Sequence, residues 1–371
     1  MSNKKVVVLT VLLAIVFSIL GFAGGFAGYI YFNKTESDIL SIGDLRIHFM
    51  TLGNRYSGDC ILVQSGDTDI LIDAGSRPGS AESIIDYVDQ YVQDNTLEFV
   101  IATHSDRDHI AAFPSSTSTE GIFEHYKVET IIDFPLTNKD REDVAILDSY
   151  YTARDNEVLE GAVHYNALEC YNNENGAKRV YQISDNVEME ILYNYYYENK
   201  ASNENDYSVC LMFNQGENHY LFTGDLEKSG EEHLVSYYNQ NQGGLPKCIL
   251  YKAGHHGSPT SSSPELMSQI QPEYVVVCCC AGTSEFTDVK DNQFPSQEFI
   301  DNVAPYTDKI YIPTVVDYYE ENGKTMETYK LLNGNILFII NGQNIKIEFS
   351  NNDLILKETS WFKENRVWPE Q

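Results

Sequence analysis

The sequence predicts an α+β protein in which two β-sheets pack together with helices outside them, behind one N-terminal transmembrane helix. Strand-like and helix-like segments interleave along the 371 residues, and hairpin patterns open both halves of the folded part. Residues 6–32 contain no charged side chain. Because strands and helices bury their apolar faces against each other in layers, the interleaving favours a sandwich of two sheets between outer helices.

The uncharged segment 6–32 is longer than the roughly 20 residues that span a bilayer as a helix. The core of a signal peptide is shorter, about 7–15 residues, although the small residues of FAGGFAG make cleavage the alternative. Lys4 and Lys5 precede the segment, and positive charge favours the cytoplasmic side. We therefore predict a cytoplasmic N-terminus at 1–5, a signal anchor at 6–32, a linker at 33–43, an extracytoplasmic main domain at 44–350 and a C-terminal tail at 351–371.

Apolar alternation and short apolar runs predict the strands of the main domain. We expect single strands at LRIHFMTLG, FVIAT, VETIIDF, NVEMEILYN, CILYKAG and EYVVVCCC, and hairpins at CILVQSG–TDILIDAG, YSVCLMFN–HYLFTG and ILFIINGQNIKIEFS. Apolar residues at helical spacing predict helices at SAESIIDYVDQYVQ, LEKSGEEHLVSYYN, SPELMSQI and PSQEFIDNV. Residues 137–204 are polar and rich in Asn, Glu and Tyr, so most of that region yields no assignment.

The composition limits the range of functions. A formal net charge of −30 disfavours a protein that coats nucleic acid through bulk electrostatics. It does not exclude an enzyme that meets DNA through a local basic groove and bound metal ions. The seven cysteines include the run CCC but show no CxxC spacing. We interpret YVVVCCCAG as a buried strand in which Cys serves as a small apolar side chain, rather than as a redox or metal site.

A dense group of metal-ligand side chains follows the predicted strand FVIAT. His104, Asp106, Asp108 and His109 lie within six residues of one another in IATHSDRDHIAAF. Alternation along an extended turn would place the first three on one side of the chain. Imidazole and carboxylate groups are both metal ligands, and crowding them without a cation would be costly. The segment therefore predicts a metal-binding loop at a strand end.

Two later strands are also followed by side chains that can bind a metal ion. LFTGDLE places Asp225 after an apolar strand, and LYKAGHHGSPT places His255 and His256 after the next one. Each loop alone would be ordinary. Together with the first loop they can converge on one edge of a sheet sandwich, which is how a site for two metal ions is assembled.

These segments resemble the metallo-β-lactamase superfamily, an αββα sandwich that holds one or two metals. The segments GNRYSGDC, ILIDAG, HSDRDH, NDYSVCLMF, LFTGD and GHHGSPTSSSPEL occur in the order found in the extracytoplasmic domain of the ComEC family of DNA-uptake competence proteins. The resemblance covers roughly residues 44–312. It implies a hydrolase domain at 44–350.

The resemblance also implies roles for individual residues. One histidine of GHHGS would complete the metal set, and we favour His256, with His255 facing the substrate as a catalytic residue beside Asp108. Asp73 would be an acceptor behind the metal loop, and Asp59 would support it from the neighbouring loop of the same edge. The implied ligands of two divalent ions, Mn²⁺ or Zn²⁺, are His104 and Asp106 for one, Asp108, His109 and His256 for the other, and Asp225 between them.

The chain departs from the family pattern at three places. The usual HxHxDH is HxDxDH here, the usual DHIGG is DHIAA, and Phe294 stands where the competence proteins carry a histidine.

Two further features of the sequence allow more than one interpretation. The tyrosines of LYNYYYENKASNEN could stack on bases or sugars, but half-burial on a sheet edge or loop is favoured. His164 is the one other histidine that we retain as a remote extra ligand.

Three functions remain open. The first is a membrane-anchored, metal-dependent phosphodiesterase or nuclease that uses a metal-bound hydroxide. The second is an esterase that acts on a phosphorylated cell-surface polymer or head group, such as phosphorylcholine. The third is a non-catalytic binding protein, which the intact Asp108, His109, Asp225 and His256 disfavour. The partners expected are a membrane, crossed once, and a phosphoester, either DNA or cell-wall polymer; no obligate protein partner is inferred.

Overall fold

A computed structural model of the chain describes residues 45–140 and 144–370. The predicted N-terminus, anchor and linker at 1–5, 6–32 and 33–43 lie outside the described residues. Within the described ranges, no helix is both long and apolar enough to cross a membrane.

The first sheet contains eight strands, and it holds the hairpin predicted at CILVQSG–TDILIDAG. The strands are β1 Leu45–Phe49, β2 Ile61–Ser65, β3 Thr68–Ile72, β4 Thr96–Ala102, β5 Lys127–Asp133, β6 Val163–Asn166, β17 Ile336–Asn341 and β18 Asn344–Phe349. Their spatial order is β18-β17-β1-β2-β3-β4-β5-β6. β2 and β3 pair antiparallel, whereas β3, β4, β5 and β6 are parallel. The ends of β3 and β4 therefore lie at the same edge as the beginning of β2.

The second sheet contains seven strands and is also mixed. They are β7 Val180–Ser184, β8 Val187–Ile191, β9 Leu211–Gln215, β10 Asn218–Phe222, β11 Leu250–Lys252, β12 Tyr274–Val276 and β14 Ile310–Tyr311, in the order β14-β12-β11-β10-β9-β8-β7. β9 and β10 form the second predicted hairpin. β10, β11 and β12 run parallel, so their carboxyl ends share one edge.

A small third sheet corrects the prediction of one strand at EYVVVCCC. The chain leaves β12 after Val276, and Cys280–Ala281 forms β13, which pairs with β15 Thr314–Glu321 and through it with β16 Lys324–Leu331. The apolar run was read as one strand because periodicity cannot show where a chain passes from one sheet to another. All seven cysteines are nevertheless free and buried, as the apolar interpretation expects.

The two large sheets pack face to face through aromatic side chains. Phe49 of β1 stacks on Phe222 of β10 with ring centroids 6.3 Å apart, and Tyr274 of β12 meets Phe338 of β17 edge to face at 5.6 Å. Helices cover the outer faces. They are α1 Ser80–Val88, α2 Arg107–Ile110, α3 Ile122–His125, α4 Ala145–Glu160, α5 Ala167–Asn172, α6 Lys228–Asn241, α7 Pro264–Ile270, α8 Gln297–Val303 and α9 Ser360–Asn365. The metallo-β-lactamase-type sandwich is thus the observed architecture.

The segment after residue 350 is packed onto the domain. Leu356 and Phe362, the latter in α9, are buried in the apolar cluster formed by the second sheet and its outer helices. Arg366 donates to the carbonyl of Pro295 at 2.8 Å. These contacts tie residues 351–370 to the loop that precedes α8.

Candidate metal centre

Four buried side chains from both large sheets converge at one edge of the sandwich. Asp59 precedes β2, His109 lies in the short helix α2 that follows β4, Asp225 follows β10 and His256 follows β11. Each offers one ligand atom, and these atoms all lie within 4.8 Å of one another. Strand ends far apart in sequence thus meet at one point, as expected for a metal site built from several loops.

The imidazoles of this group point one nitrogen each at the same carboxylate oxygen. Nε2 of His109 and Nε2 of His256 both lie 3.1 Å from Oδ2 of Asp225. Oδ2 of Asp108 lies 3.3 Å from Nε2 of His256. The Nε2 atoms of His104, His109 and His256 are buried and have no hydrogen-bond partner in the described structure. Buried polar atoms without partners are costly, so a cation at this point fits the donor set.

The opposite nitrogens of the two imidazoles are held by acceptors. Nδ1 of His109 donates to Oδ2 of Asp73 at 2.7 Å, and Nδ1 of His256 donates to the carbonyl oxygen of Cys278 at 2.8 Å. Asp73 is itself fixed, because the backbone N–H and the hydroxyl of Thr103 donate to it at 2.7 and 2.8 Å. An imidazole whose Nδ1 donates keeps an Nε2 lone pair for a metal. Asp73 therefore lies behind the metal loop, where the resemblance places it.

Asp59 contacts the imidazoles from that same rear side. Its Oδ1 lies 3.3 Å from Nδ1 of His256, and its Oδ2 lies 3.8 Å from Nδ1 of His109. Its Oδ2 also contacts Nζ of Lys252. Lys252 was not among the candidate residues of the sequence analysis. The signal that could have found it is a lysine inside the apolar run CILYKAG, because a charged residue there must be buried with a partner.

His104 and Asp106 form a more open part of the same edge. The ring of His104 lies 4.2 Å from that of His109 between centroids, and its Nε2 lies 3.4 Å from Oδ2 of Asp106. The side chain of Asp106 is 33% exposed, and its Oδ1 contacts Nζ of Lys139. Neither His104 nor Asp106 belongs to the compact group of four described above. Their role as ligands of a separate metal ion stays a prediction.

His255 lies at the mouth of the site. Its Nδ1 is 3.1 Å from the hydroxyl of Thr260 and 3.4 Å from Oε1 of Glu227. Its ring and that of His256 both pack against Phe294, with centroids 5.6 and 6.1 Å apart. Both histidines have positive φ angles, 44° and 53°, a strained conformation that is held only where the surroundings fix it. The side chain of His255 is partly exposed, as a residue facing substrate must be.

Charge interactions control the protonation of the cluster. Burial alone would raise the pKa of Asp225, but His109, His256 and Lys252 hold it well below its usual range. Burial alone would lower the pKa of His109, but Asp225 and Asp73 raise it well above the usual value. The carboxylates of the cluster are thus ionised, as ligands of a divalent cation must be.

Close backbone packing fixes the position of the metal loop. The backbone N–H of Asp59 donates to the carbonyl of Asp108 at 3.1 Å, and that of Ala74 donates to the carbonyl of His109 at 2.8 Å. A Cβ on Gly75 would lie 1.5 Å from the carbonyl oxygen of Asp108. Only glycine fits at this position, because any side chain would push the loop away from the edge.

Comparison with known proteins shows what part of the chain is similar to a known family. The family description "Metallo-beta-lactamase superfamily" matches residues 53–135. The match covers 83 of the 371 residues, and over this segment the chain is similar to that superfamily. The matched segment includes Asp59, Asp73 and the loop from His104 to His109. The predicted superfamily is thereby confirmed.

Curated relatives confirm the resemblance to competence proteins. The chain is 27% identical over 186 residues to ComE operon protein 3 of Bacillus subtilis (strain 168), covering 49% of this chain and 20% of that protein. It is 42% identical over 79 residues to competence protein ComA of Neisseria gonorrhoeae, covering 21% and 11%. The chain therefore spans a small part of the relatives that it matches.

Among solved structures, one neighbour is the metallo-beta-lactamase fold protein YhfI of Bacillus subtilis. It is 12% identical, with a TM-score of 0.41, and covers 76% of this chain and 99% of that chain. A likeness at this level carries no argument about function.

Two minor predictions have structural outcomes. None of the tyrosines in LYNYYYENKASNEN is exposed, and Tyr195 stacks on His233 with centroids 4.1 Å apart, so the half-buried interpretation is confirmed.

His164 lies outside the compact group of possible metal ligands. Its Nε2 is 2.8 Å from Oδ1 of Asp133, a carboxylate that also binds Arg154. It is a partner in a separate ion-pair network rather than a remote ligand.

Proposed function

We propose that this chain is a metal-dependent phosphodiesterase, the hydrolytic unit of a nuclease, anchored in the cell membrane with its domain outside. The observation that carries the proposal is the buried convergence of two Nε2 atoms on one oxygen of Asp225, with Asp108 beside them. Metallo-β-lactamase superfamily membership supports a hydrolase in general. The phosphodiester substrate and the location outside the membrane are our proposals.

Different residues of the chain would have different roles in this hydrolysis. His109, His256, Asp108 and Asp225 would hold the more buried cation, and His104 with Asp106 would hold the other. When bound, such cations polarise a phosphoryl oxygen and make water acidic enough to attack near neutral pH. Asp108 would orient that water, since its side chain is partly exposed and its Oδ2 lies 3.3 Å from Nε2 of His256.

Two cations beside Asp106 favour an anionic substrate. Lys139 donates from Nζ to the carbonyl of Ser105 at 2.8 Å, and its side chain is 24% exposed. Arg107 is exposed and forms no ion pair with another described residue. In a chain whose net charge is −30, local cations at the mouth of the site are needed to hold a phosphodiester against the overall repulsion.

The second candidate is an esterase for a phosphorylated surface polymer or head group. Phe294 occupies the position where the competence proteins carry a histidine, and its ring packs at a tilt against that of the exposed Phe286, with centroids 5.2 Å apart. An aromatic wall of this kind suits a substrate with an apolar or quaternary ammonium part. This alternative differs from the first in the group attached to the phosphate, not in the metal chemistry.

One assay separates these functions. The full-length chain, stripped of metal and reloaded with Mn²⁺ or Zn²⁺, is offered DNA, bis-p-nitrophenyl phosphate and p-nitrophenyl phosphorylcholine, with Asp225→Asn as the inactive control. Cleavage of DNA and of the simple diester supports the first proposal. Turnover of phosphorylcholine ester alone favours the second. No turnover of any substrate, with metal bound, would leave a binding protein as the function.

A further inference from the structure

Lys252 is the last residue of β11, and its ammonium group is enclosed by the metal centre. Its side chain is 1% exposed. Nζ contacts Oδ2 of Asp59, lies 3.3 Å from Oδ1 of Asp225 and donates to the carbonyl of Gly224 at 3.0 Å. An ammonium group has three donors and no acceptor. Three acceptors surround it here, so its hydrogen-bonding capacity is filled.

The two oxygens of Asp225 are used differently. Oδ2 faces the Nε2 atoms of His109 and His256 at 3.1 Å, whereas Oδ1 faces Lys252. The backbone of the residue is also held in place, because the N–H of Asp225 donates to the hydroxyl of Ser208 at 3.0 Å. The carboxylate therefore presents one oxygen to the centre and has the other occupied.

We propose that Lys252 is a positioning residue that retains Oδ1 of Asp225, so that Asp225 binds the metal centre through Oδ2 alone. This inference rests on the metal centre of the proposed function. A free carboxylate beside a divalent cation can bind through both oxygens. Lys252 prevents that second contact, which leaves a coordination position for water or substrate.

The charge of Lys252 gives this arrangement its stability. Asp59 and Asp225 are both buried, and an unpaired buried carboxylate is strongly destabilising. Lys252 supplies a positive charge to both from a position that the substrate cannot reach. A neutral side chain of similar length at 252 would remove the restraint on Oδ1 and leave Asp225 free to chelate.

The test uses Co²⁺, whose visible absorption reports the number of ligands around the metal. We compare the cobalt-loaded full-length chain with Lys252→Met and with a control, Lys309→Met, which removes a surface lysine paired with Glu273. We expect Lys252→Met to lose visible absorption per bound cobalt as Asp225 adds its second oxygen, and the control to keep it. An unchanged spectrum in folded, cobalt-bound Lys252→Met overturns the inference.

A second measurement needs no variant, in case Lys252→Met does not fold. X-ray absorption of the cobalt-loaded wild-type chain shows whether a carboxyl carbon lies close to the metal, as it does when both oxygens bind. Its absence is expected. Its presence, or failure of the wild-type chain to bind cobalt, overturns the inference. Neither measurement uses phosphodiester turnover, so the proposed activity can fail independently of this assignment.

Discussion

At the scale of single residues, we expect Asp106 to determine the metal preference of the open half of the site. It replaces the second histidine of HxHxDH, so a hard oxygen stands where the family has a borderline nitrogen. Oxygen-rich sites suit Mn²⁺ better, although Zn²⁺ binds more tightly in the general affinity order. We expect Mn²⁺ to support at least as much turnover as Zn²⁺ in metal-stripped protein, and Asp106→His to shift that preference towards Zn²⁺.

The measurement is kcat/KM for bis-p-nitrophenyl phosphate with each metal. Asp108→Ala serves as the control, because loss of Asp108 should abolish turnover with both metals. If Asp106→His leaves the ratio of the two metals unchanged, Asp106 is not a ligand. Its contact with Lys139 would then be its main interaction.

Gly75 offers a test of how tightly the metal loop is held. Because a Cβ at this position would collide with the carbonyl of Asp108, Gly75→Ala should displace the loop and lower the affinity for Mn²⁺ at least tenfold, a loss of about 1.4 kcal/mol. Gly79→Ala is the matched control, since a Cβ there meets nothing within 4 Å and its φ of −66° suits alanine. Titration calorimetry measures both. Equal affinities in the two variants would contradict the packing argument.

Most of the candidate site could be predicted from the sequence because each ligand type follows an apolar strand. His104–His109, Asp225 and His255–His256 all carry that local signal. Lys252 does not, since its partners Asp59 and Asp225 are remote in sequence and the pairing exists only after both sheets have formed. Likewise, the sequence does not predict which side of the imidazoles Asp59 contacts, because tertiary packing alone determines it.

At the scale of elements, Glu231 links α6 to the start of α7. It is fully buried, and its carboxylate accepts the backbone N–H groups of Ser262 and Ser263, each at 2.7 Å. Burial raises its pKa from 4.5 to about 7, despite these hydrogen bonds. The folded state therefore holds a proton that the unfolded state has already lost between these two pH values.

The sign of the pH dependence follows from that shift. A group whose folded pKa is raised adds stability below its unfolded pKa, and this contribution disappears as the pH rises through the folded pKa. Wild-type stability should fall by about 3 kcal/mol relative to Glu231→Gln between pH 4.5 and pH 7.5. Urea denaturation at several pH values measures it, with the exposed Glu232→Gln as control. Parallel pH curves for wild type and Glu231→Gln would contradict the raised pKa.

The elements that were predicted from the sequence are those whose apolar residues recur with a clear period. The hairpins β2–β3, β9–β10 and β17–β18 alternate or form apolar runs, and all three occur. The hairpin β15–β16 was missed because most of its side chains are exposed and polar, so no buried face marks it. The helix α4 was missed for a related reason: its buried residues Leu147, Tyr150 and Glu157 do not form an apolar stripe.

At the scale of the whole molecule, the candidate metal centre occupies one edge of the sandwich, whereas the net negative charge is a property of the entire chain. The net charge of −30 repels polyanions, yet Lys139 contacts Asp106 and the exposed Arg107 follows Asp106 in the chain. Repulsion at long range and attraction at short range favour a substrate that is held by the centre itself rather than by an extended surface. This balance fits the hydrolysis of a diester at one position better than the coating of a long strand.

The location of the domain is the remaining prediction at this scale. The segment 6–32 lies outside the described residues, and its uncharged length with Lys4 and Lys5 before it predicts an anchor with the domain outside the cell. An odd number of cysteines in an oxidising location leaves at least one unpaired, but all seven are free and buried, and burial raises the pKa of thiols such as Cys278 well above the usual value. Buried protonated thiols are inert, so they do not conflict with that location. Protease added to intact cells should digest the domain, as followed by immunoblot; complete protection until the cells are lysed would reverse the predicted orientation.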